Sequence, residues 1–189
     1  MKYARVVLLV FLLIPGSAFP QPGVIAVYGD SLHVDCDVVH DPGPGVLVFY
    51  VFHHSAGGAR GCRFSAPYQS CMAEIEWGLD RSEFLNTTGS SQTGVTIEYG
   101  LCLTGWVHVL TVFCADVLGL GCPPCCEYPV LPHPDVSSGQ VEDLDCDNQW
   151  VVAEGVSGLV NSNSSCPCKT PSGIESQDHT WGKIKALYE

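Results

Sequence analysis

The number of cysteines limits what this chain can fold into more than any other feature. The sequence carries eleven cysteines in 189 residues. At this density an exported chain usually forms a disulfide framework, whereas a cytosolic chain more often binds metal or uses a thiol in catalysis. Because eleven is odd, at least one thiol is free, bonded to another chain or occupied by a ligand. The disulfide candidates are Cys36, Cys62, Cys71, Cys102, Cys114, Cys122, Cys125, Cys126, Cys146, Cys166 and Cys168.

The N-terminus predicts the compartment. Lys2 and Arg5 precede an apolar run at 6–14, and small residues follow at 16–18. A charged region, a short apolar region and a small-residue cleavage motif are typical of a secretory signal peptide. A membrane-spanning helix needs about 20 apolar residues, roughly twice this length. We therefore predict a cleaved signal peptide at 1–18, a secreted or cell-surface location (periplasmic or extracellular), and no transmembrane helix in the mature chain.

The chain is acidic, with a formal net charge of −12. Cleavage after residue 18 removes two of the eight Lys and Arg residues and no acid, which leaves six cations against 20 acids and a net charge of −14. Binding to phosphate groups needs clustered cations. The composition therefore argues against nucleic acids and anionic membranes as partners.

Short segments rich in β-forming residues recur between Gly, Pro and Ser turns, and helical periodicity is nearly absent before residue 178. Segments 46–52 and 107–113 have apolar residues on both faces, which predicts strands that are buried on both faces. Gly57 and Gly58 predict a turn after the first of them.

The remaining segments complete a predicted all-β domain. Further strands are predicted at 24–28, 33–39, 95–99, 127–131, 141–146, 150–153 and 159–160, the last two as a hairpin. We predict that residues 19–170 form a disulfide-stapled antiparallel β-sandwich, immunoglobulin-like, with roughly eight strands. A barrel is the less favoured alternative, and a parallel α/β fold is disfavoured because crossover helices are lacking.

Two groups of residues could bind a metal. His33, Asp35 and Asp37 fall on one face of the predicted strand 33–39 and are weak candidates for a cation site, although a solvated strand face is the preferred interpretation. Cysteines 122, 125 and 126, with the C-x-C pair at 166–168, could bind zinc or act in redox chemistry, but disulfides are favoured in an exported chain. The adjacent Cys125 and Cys126 are expected to form disulfides with two different parts of the fold, because neighbouring cysteines rarely form a disulfide with each other. No cofactor is predicted.

Catalytic residues are not assigned. His53, His54 and His108 are the histidines on strong strands, but the sequence has no G-x-S-x-G motif and no cysteine that stands apart as a nucleophile. We predict a non-enzymatic exported module that serves as a surface, adhesion or assembly component. The alternatives are an exported small-ligand or metal-binding protein and, third, an exported hydrolase.

Residues 171–189 differ in character from the domain before them. The segment begins as a polar linker and ends in a short amphipathic pattern. One helical stripe is formed by Trp181, Ile184, Leu187 and Tyr188. A helix this short is marginal alone in water, so it is predicted to need a docking surface on its own domain or on a partner.

Several motifs resemble a family of cysteine-rich secreted bacterial proteins. The resemblance lies in segments 91–100, 105–111, 124–132 and 165–168, and in the terminal T-W-G-K-I-K-A-L-Y at 180–188. It implies a bacterial exported protein whose tail has a sorting or surface-attachment role, with other surface or secreted proteins as partners of the tail. It implies no activity and no catalytic residue.

Overall fold

The computed structural model describes residues 22–72 and 77–168. The predicted signal peptide at 1–18 lies outside the described residues. The same is true of the predicted C-terminal tail with its docking residues Trp181, Ile184, Leu187 and Tyr188.

The described residues form ten strands and one 3-10 turn at Ser70–Met72. The strands are β1 Gly23–Tyr28, β2 Asp37–Val38, β3 Gly45–Phe64, β4 Trp77–Ser82, β5 Asn86–Ser90, β6 Gly94–Asp116, β7 Cys126–Tyr128, β8 Val141–Asp145, β9 Trp150–Val156 and β10 Gly158–Val160. The all-β prediction is confirmed for this part of the chain.

Two sheets share these strands. The larger sheet has the order β1-β9-β8-β3-β6-β4, with β5 also paired to β6. Because β1 pairs with β3 as well as with β9, strands β1, β9, β8 and β3 close into a circuit. The smaller sheet has the order β2-β10-β7.

The two sheets pack as a sandwich around one main core. Phe49 of β3 stacks on Tyr128 of β7 with ring centroids 4.2 Å apart. Ile25, Val27 and Leu47 of the larger sheet share this core with residues of the smaller one. Each buried aliphatic or aromatic side chain contributes about 1.5–3 kcal/mol. The sandwich prediction is therefore confirmed at the level of two packed β layers.

The prediction of purely antiparallel pairing is wrong in two places. β1 runs parallel to β9, and β2 runs parallel to β10. The partners in each parallel pair are more than a hundred residues apart in sequence, so no local turn sets their direction. The predicted hairpin of 150–153 and 159–160 is also wrong, because β9 and β10 belong to different sheets.

Two strands are much longer than predicted. Segment 46–52 is part of the 20-residue β3, and segments 95–99 and 107–113 are joined in the 23-residue β6. The glycines at 57–58 do not end β3, because the strand passes them through register shifts against β6. Gly58 has φ +88, and a Cβ there would lie 2.8 Å from the sulfur atoms of Cys102 and Cys146. The glycine therefore allows a bulge beside a disulfide, not a turn.

The predicted strand 33–39 is reduced to the two residues of β2. The carboxylate of Asp30 accepts hydrogen bonds from the backbone N–H of Leu32 at 2.6 Å and of Val34 at 3.2 Å, which folds the segment into a turn. His33 has a left-handed backbone, with φ +50. His33, Asp35 and Asp37 consequently do not share a strand face.

Four disulfides connect the described segments. They join Cys36 to Cys168, Cys71 to Cys126, Cys102 to Cys146 and Cys125 to Cys166. Free and buried thiols belong to Cys62, Cys114 and Cys122. The neighbours Cys125 and Cys126 thus bond to different elements, and four disulfides indicate an oxidising, extracytoplasmic environment. Within the ranges that the structure describes, no helix is long and apolar enough to cross a membrane.

Candidate functional site

The outer face of β3 is apolar but not covered by the described residues. Alternation along a strand sends Leu47, Phe49 and Val51 into the core, where all three are buried. Val46 and Val48 point to the opposite face, and Val46 is 59% exposed. The prediction that 46–52 is buried on both faces is therefore wrong at this end of the strand.

Strands β6 and β4 extend this outer face. Val48 is opposite Phe113 of β6, and Phe113 is in turn opposite Leu79 of β4. Leu79 is 50% exposed. Cross-strand neighbours of this kind lie within contact distance on one face of a sheet, so the three side chains form one apolar surface.

A loop of exposed aliphatic residues follows the end of β6. Val117, Leu118 and Leu120 are each more than half exposed. The loop lies against the chain before β3, since the N–H of Gly43 donates to the carbonyl of Gly119 at 3.1 Å. We call the combined surface the outer patch; it consists of Val46, Val48, Leu79, Phe113, Val117, Leu118 and Leu120.

The carboxylate of Asp116 holds the loop in place. It accepts hydrogen bonds from the N–H groups of Gly119 at 2.7 Å, Leu120 at 3.2 Å and Gly121 at 2.7 Å. The buried ring of His40 lies 3.0 Å from the same carboxylate. The bond to His40, followed by the bonds from the backbone, lowers the pKa of Asp116 below its ordinary value. The aliphatic side chains are therefore presented on a fixed backbone.

This anchor makes the stability of the protein depend on pH. A carboxyl group whose pKa is lowered by folding stabilises the fold above its unfolded pKa of about 4, and that contribution is lost as the pH falls through the lowered value. We expect Asp116→Asn to lower the midpoint of thermal unfolding near neutral pH, and the difference from wild type to shrink below about pH 4. Thermal unfolding of both proteins between about pH 7 and about pH 3 measures this. The control is Asp41→Asn, at the exposed residue next to His40. A difference in unfolding midpoint between Asp116→Asn and wild type that stays constant over this pH range would contradict the expectation.

The other end of the outer face is an aromatic and histidine cluster. The ring of His33 stacks on Trp106 with centroids 5.0 Å apart, and His54 lies at the same distance from Trp106. Phe52 and Tyr28 complete the cluster. Burial, followed by the nearby His53 and His33, lowers the pKa of His54. Tyr28, Phe52 and Trp106 pack with the disulfide of Cys36 and Cys168. The cluster is therefore a second small core and not an open site.

A chain of polar side chains lies inside the larger sheet. The Nδ1 atom of His53 is 2.7 Å from the hydroxyl of Tyr99, and that hydroxyl donates to the sulfur of Cys62 at 3.3 Å. On its other side, Nε2 of His53 lies 3.5 Å from the carboxylate of Asp143. Burial raises the pKa of Cys62 to about 12, so its thiol is protonated at neutral pH and is not a nucleophile.

A second histidine, His108, has a hydroxyl on one side of its ring and a carboxylate on the other. Nε2 of His108 is 3.1 Å from the hydroxyl of Thr111, and Nδ1 is 3.8 Å from the carboxylate of Glu83. The order resembles that of a nucleophilic triad, but 3.8 Å is too long for a hydrogen bond. Thr111 is only 5% exposed, which keeps its hydroxyl from a substrate. This arrangement gives no support to the hydrolase alternative.

The weak metal candidates have other contacts. A carboxylate oxygen of Asp35 accepts the N–H of Asp37 at 2.9 Å, and Asp37 accepts the N–H of Ser162 at 2.7 Å. The ring of His33 lies in the aromatic cluster. Across residues 22–72 and 77–168, no group of three or more His, Cys, Asp or Glu side chains is placed to hold a metal ion.

Sequence reasoning did not identify the outer patch. Its signal was the apolar character of 46–52 and 107–113 on both faces, which predicted a second covering layer. The signal for the anchored loop was Asp116 followed by two glycines within five residues, because a carboxylate at such a position can capture several backbone N–H groups.

Comparison with known proteins adds a distant likeness in fold. No protein-family model matches the sequence, and no curated protein sequence matches it. A solved structure that resembles the chain is a non-cellulosomal cohesin from the hyperthermophilic archaeon Archaeoglobus fulgidus, with a TM-score of 0.47 and 14% identity. The match covers 77% of this chain and 94% of the cohesin. A likeness of this size carries no inference about function.

Proposed function

We propose that the chain is an exported, non-enzymatic, immunoglobulin-like β-sandwich module that binds another protein through the outer patch. Its role is that of a surface, adhesion or assembly component. The observation that carries the proposal is the apolar face of β3, β6 and β4, which residues 22–72 and 77–168 leave partly exposed. Contiguous apolar surface on a folded domain marks an interaction site more often than isolated exposed residues do.

The rigidity of the patch supports a binding role. Four of its seven residues lie on paired strands, and the carboxylate of Asp116 fixes the loop at 117–121. A surface that is ordered before it binds loses little conformational entropy on association. An apolar loop without such an anchor would give a weaker argument, because ordering it would oppose binding.

Charge indicates the kind of partner. The chain has a net charge of −12 and a sequence pI of about 4.7. Like charges oppose association of two copies, whereas a partner with Lys and Arg around an apolar centre is attracted to the acidic chain. We therefore assign the patch to a basic protein and not to a second copy. The proposed attachment role of the tail at 181–188 is separate from this patch.

Photo-crosslinking tests the proposal. A photoreactive residue at Leu118 is expected to crosslink one basic protein in the cells that export the chain, and the same residue at Leu101 is not. Leu101 is a matched control, because it is also an exposed leucine, at 68%, but lies in a distant part of β6. The captured protein, once purified, is expected to bind Leu118→Asp about tenfold more weakly than wild type, a loss of about 1.4 kcal/mol.

The control variant makes the outcome decisive. Leu101→Asp adds the same charge and is expected to change the affinity by less than about twofold. Equal weakening by both variants would show a general charge effect and would overturn the proposal. A crosslink from Leu118 only to a second copy of the chain, or no crosslink from the patch, would overturn it as well.

A further inference from the structure

We infer that β4 is the site where an extended segment of the basic partner adds to the larger sheet as a further strand. This inference rests on the proposed function, because the added strand would lie beside the outer patch. The juxtaposition that carries it is an open sheet edge directly next to an apolar sheet face.

The edge at β4 is open among the described residues. β4 is the last strand in the order of the larger sheet and pairs with β6 on one side. Its ladder runs from Trp77 opposite Ala115 to Ser82 opposite Leu110 without a register shift. The ladder of β3 with β6, in contrast, shifts three times. A flat, regular edge is the geometry that a further strand needs.

Three common protections of an edge strand, namely proline, lysine and a bulge, are missing from β4. Natural edges are guarded by proline, lysine, bulges or inward-pointing charges. The sequence of β4 has neither proline nor lysine, and its ladder has no bulge. The carboxylate of Asp80 is used internally, since it accepts the hydroxyl of Ser91 at 2.8 Å. Arg81 is the one exposed charged residue of the strand.

The faces of β4 indicate what the added strand would carry. A Cβ at Gly78 would lie 1.8 Å from the hydroxyl of Tyr68, so the inner side of the strand is already filled. The outer side presents Leu79, with Phe113 beside it, and the exposed Arg81 two residues further along the strand. Strand addition uses main-chain hydrogen bonds for affinity and alternate side chains for specificity. The partner segment would therefore have alternating apolar residues toward the outer patch, and lysine or arginine at other positions to complement the acidic chain.

Hydrogen exchange with a synthetic peptide tests the inference. The probe is an acetylated and amidated peptide of about nine residues that alternates valine with threonine or lysine. In the free protein, the N–H groups of β4 that point away from β6 are expected to exchange quickly. With the peptide bound, exchange at alternate residues of 77–82 is expected to slow by about tenfold, because these N–H groups gain partners.

Two control peptides separate strand pairing from simple apolar or charge contact. The first has the same side chains but N-methyl groups on alternate amides, in both registers, and is expected to give no slowing. The second has glutamate in place of lysine and is expected to slow exchange by less than about twofold, since the chain is acidic. Equal slowing by the N-methylated peptide would overturn strand addition, and so would slowing without any peptide at high protein concentration, which indicates self-pairing.

Failure of the inference is distinguishable from failure of the proposed function. If the crosslinked partner loses affinity for Leu118→Asp but neither it nor the valine peptide slows exchange in β4, the patch binds protein without strand addition. If the patch yields no partner, the proposed function fails whatever the peptide does.

Discussion

Replacing His53 by phenylalanine is expected to lower the free energy of unfolding by about 2–5 kcal/mol, because buried polar groups on both sides of its ring lose a partner. His53 is 1% exposed, and its Nε2 atom lies 3.5 Å from the carboxylate of Asp143, which is also buried. Phenylalanine keeps the ring volume but removes the two ring nitrogens, one facing the carboxylate of Asp143 and the other hydrogen-bonded to the Tyr99 hydroxyl. A buried polar group that loses its partner costs about 1–3 kcal/mol. Urea unfolding near neutral pH measures the loss.

Two further variants show whether the loss comes from the pair. The double variant His53→Phe with Asp143→Leu is expected to recover most of the stability, because apolar groups of similar volume can replace a buried polar pair at little cost. His108→Phe, at a partly exposed histidine on β6, is expected to change stability by less than about 1 kcal/mol. A single variant at His53 that also loses less than about 1 kcal/mol, or a double variant as unstable as the single one, would contradict the interpretation.

Three short strands were predictable from the sequence, and one of them, 95–99, alternates cleanly. Segment 24–28 matches β1 almost residue for residue. Segment 95–99 lies within β6, and segment 141–146 covers β8 and one further residue. Period-two patterning reports how a strand sits in a sheet, and Val, Ile and Tyr favour that state. The local pattern therefore gives the type of element well.

Long-range pairing was not predictable for a physical reason. The parallel contact of β1 with β9 joins residues about 130 positions apart in the sequence. The pair of His53 with Asp143 joins β3 to β8, which are neighbours in the sheet but far apart in the sequence. No local hydrogen bond or turn encodes such contacts. These contacts depend on which apolar faces are buried against each other. The pattern of a single sequence is compatible with many such strand pairings.

The outer patch was missed because an apolar strand face does not say what covers it. Segment 46–52 predicts burial on both sides, and burial within one chain is the usual way to satisfy it. In the described structure Leu47 and Phe49 enter the core, while Val46 stays exposed. The predicted burial of 46–52 on both faces, which the described residues do not provide, therefore supports the patch, because strands that are apolar on both faces are normally covered on both.

Replacing both Cys71 and Cys126 by alanine is expected to lower the free energy of unfolding by about 4 kcal/mol. This disulfide closes a loop with a sequence separation of 55 and ties the 3-10 turn to β7. Without it, the unfolded chain gains conformational entropy, which favours unfolding. Cys122→Ala gives the control, because it removes a sulfur atom that bonds no other residue by a disulfide; a change of less than about 1 kcal/mol is expected.

Complete reduction is expected to have the largest effect of all. Four bridges that each contribute about 2–4 kcal/mol together match or exceed the net stability of about 5–15 kcal/mol of an ordinary domain. A reductant in native buffer is therefore expected to unfold the protein at room temperature, as a loss of the β-sheet circular dichroism signal and of resistance to protease. Mass spectrometry of the alkylated protein verifies that all eight bonded cysteines are reduced. A fully reduced chain that kept its thermal midpoint would show that packing of Phe49, Tyr128 and their neighbours suffices, and that the bridges serve another purpose than stability.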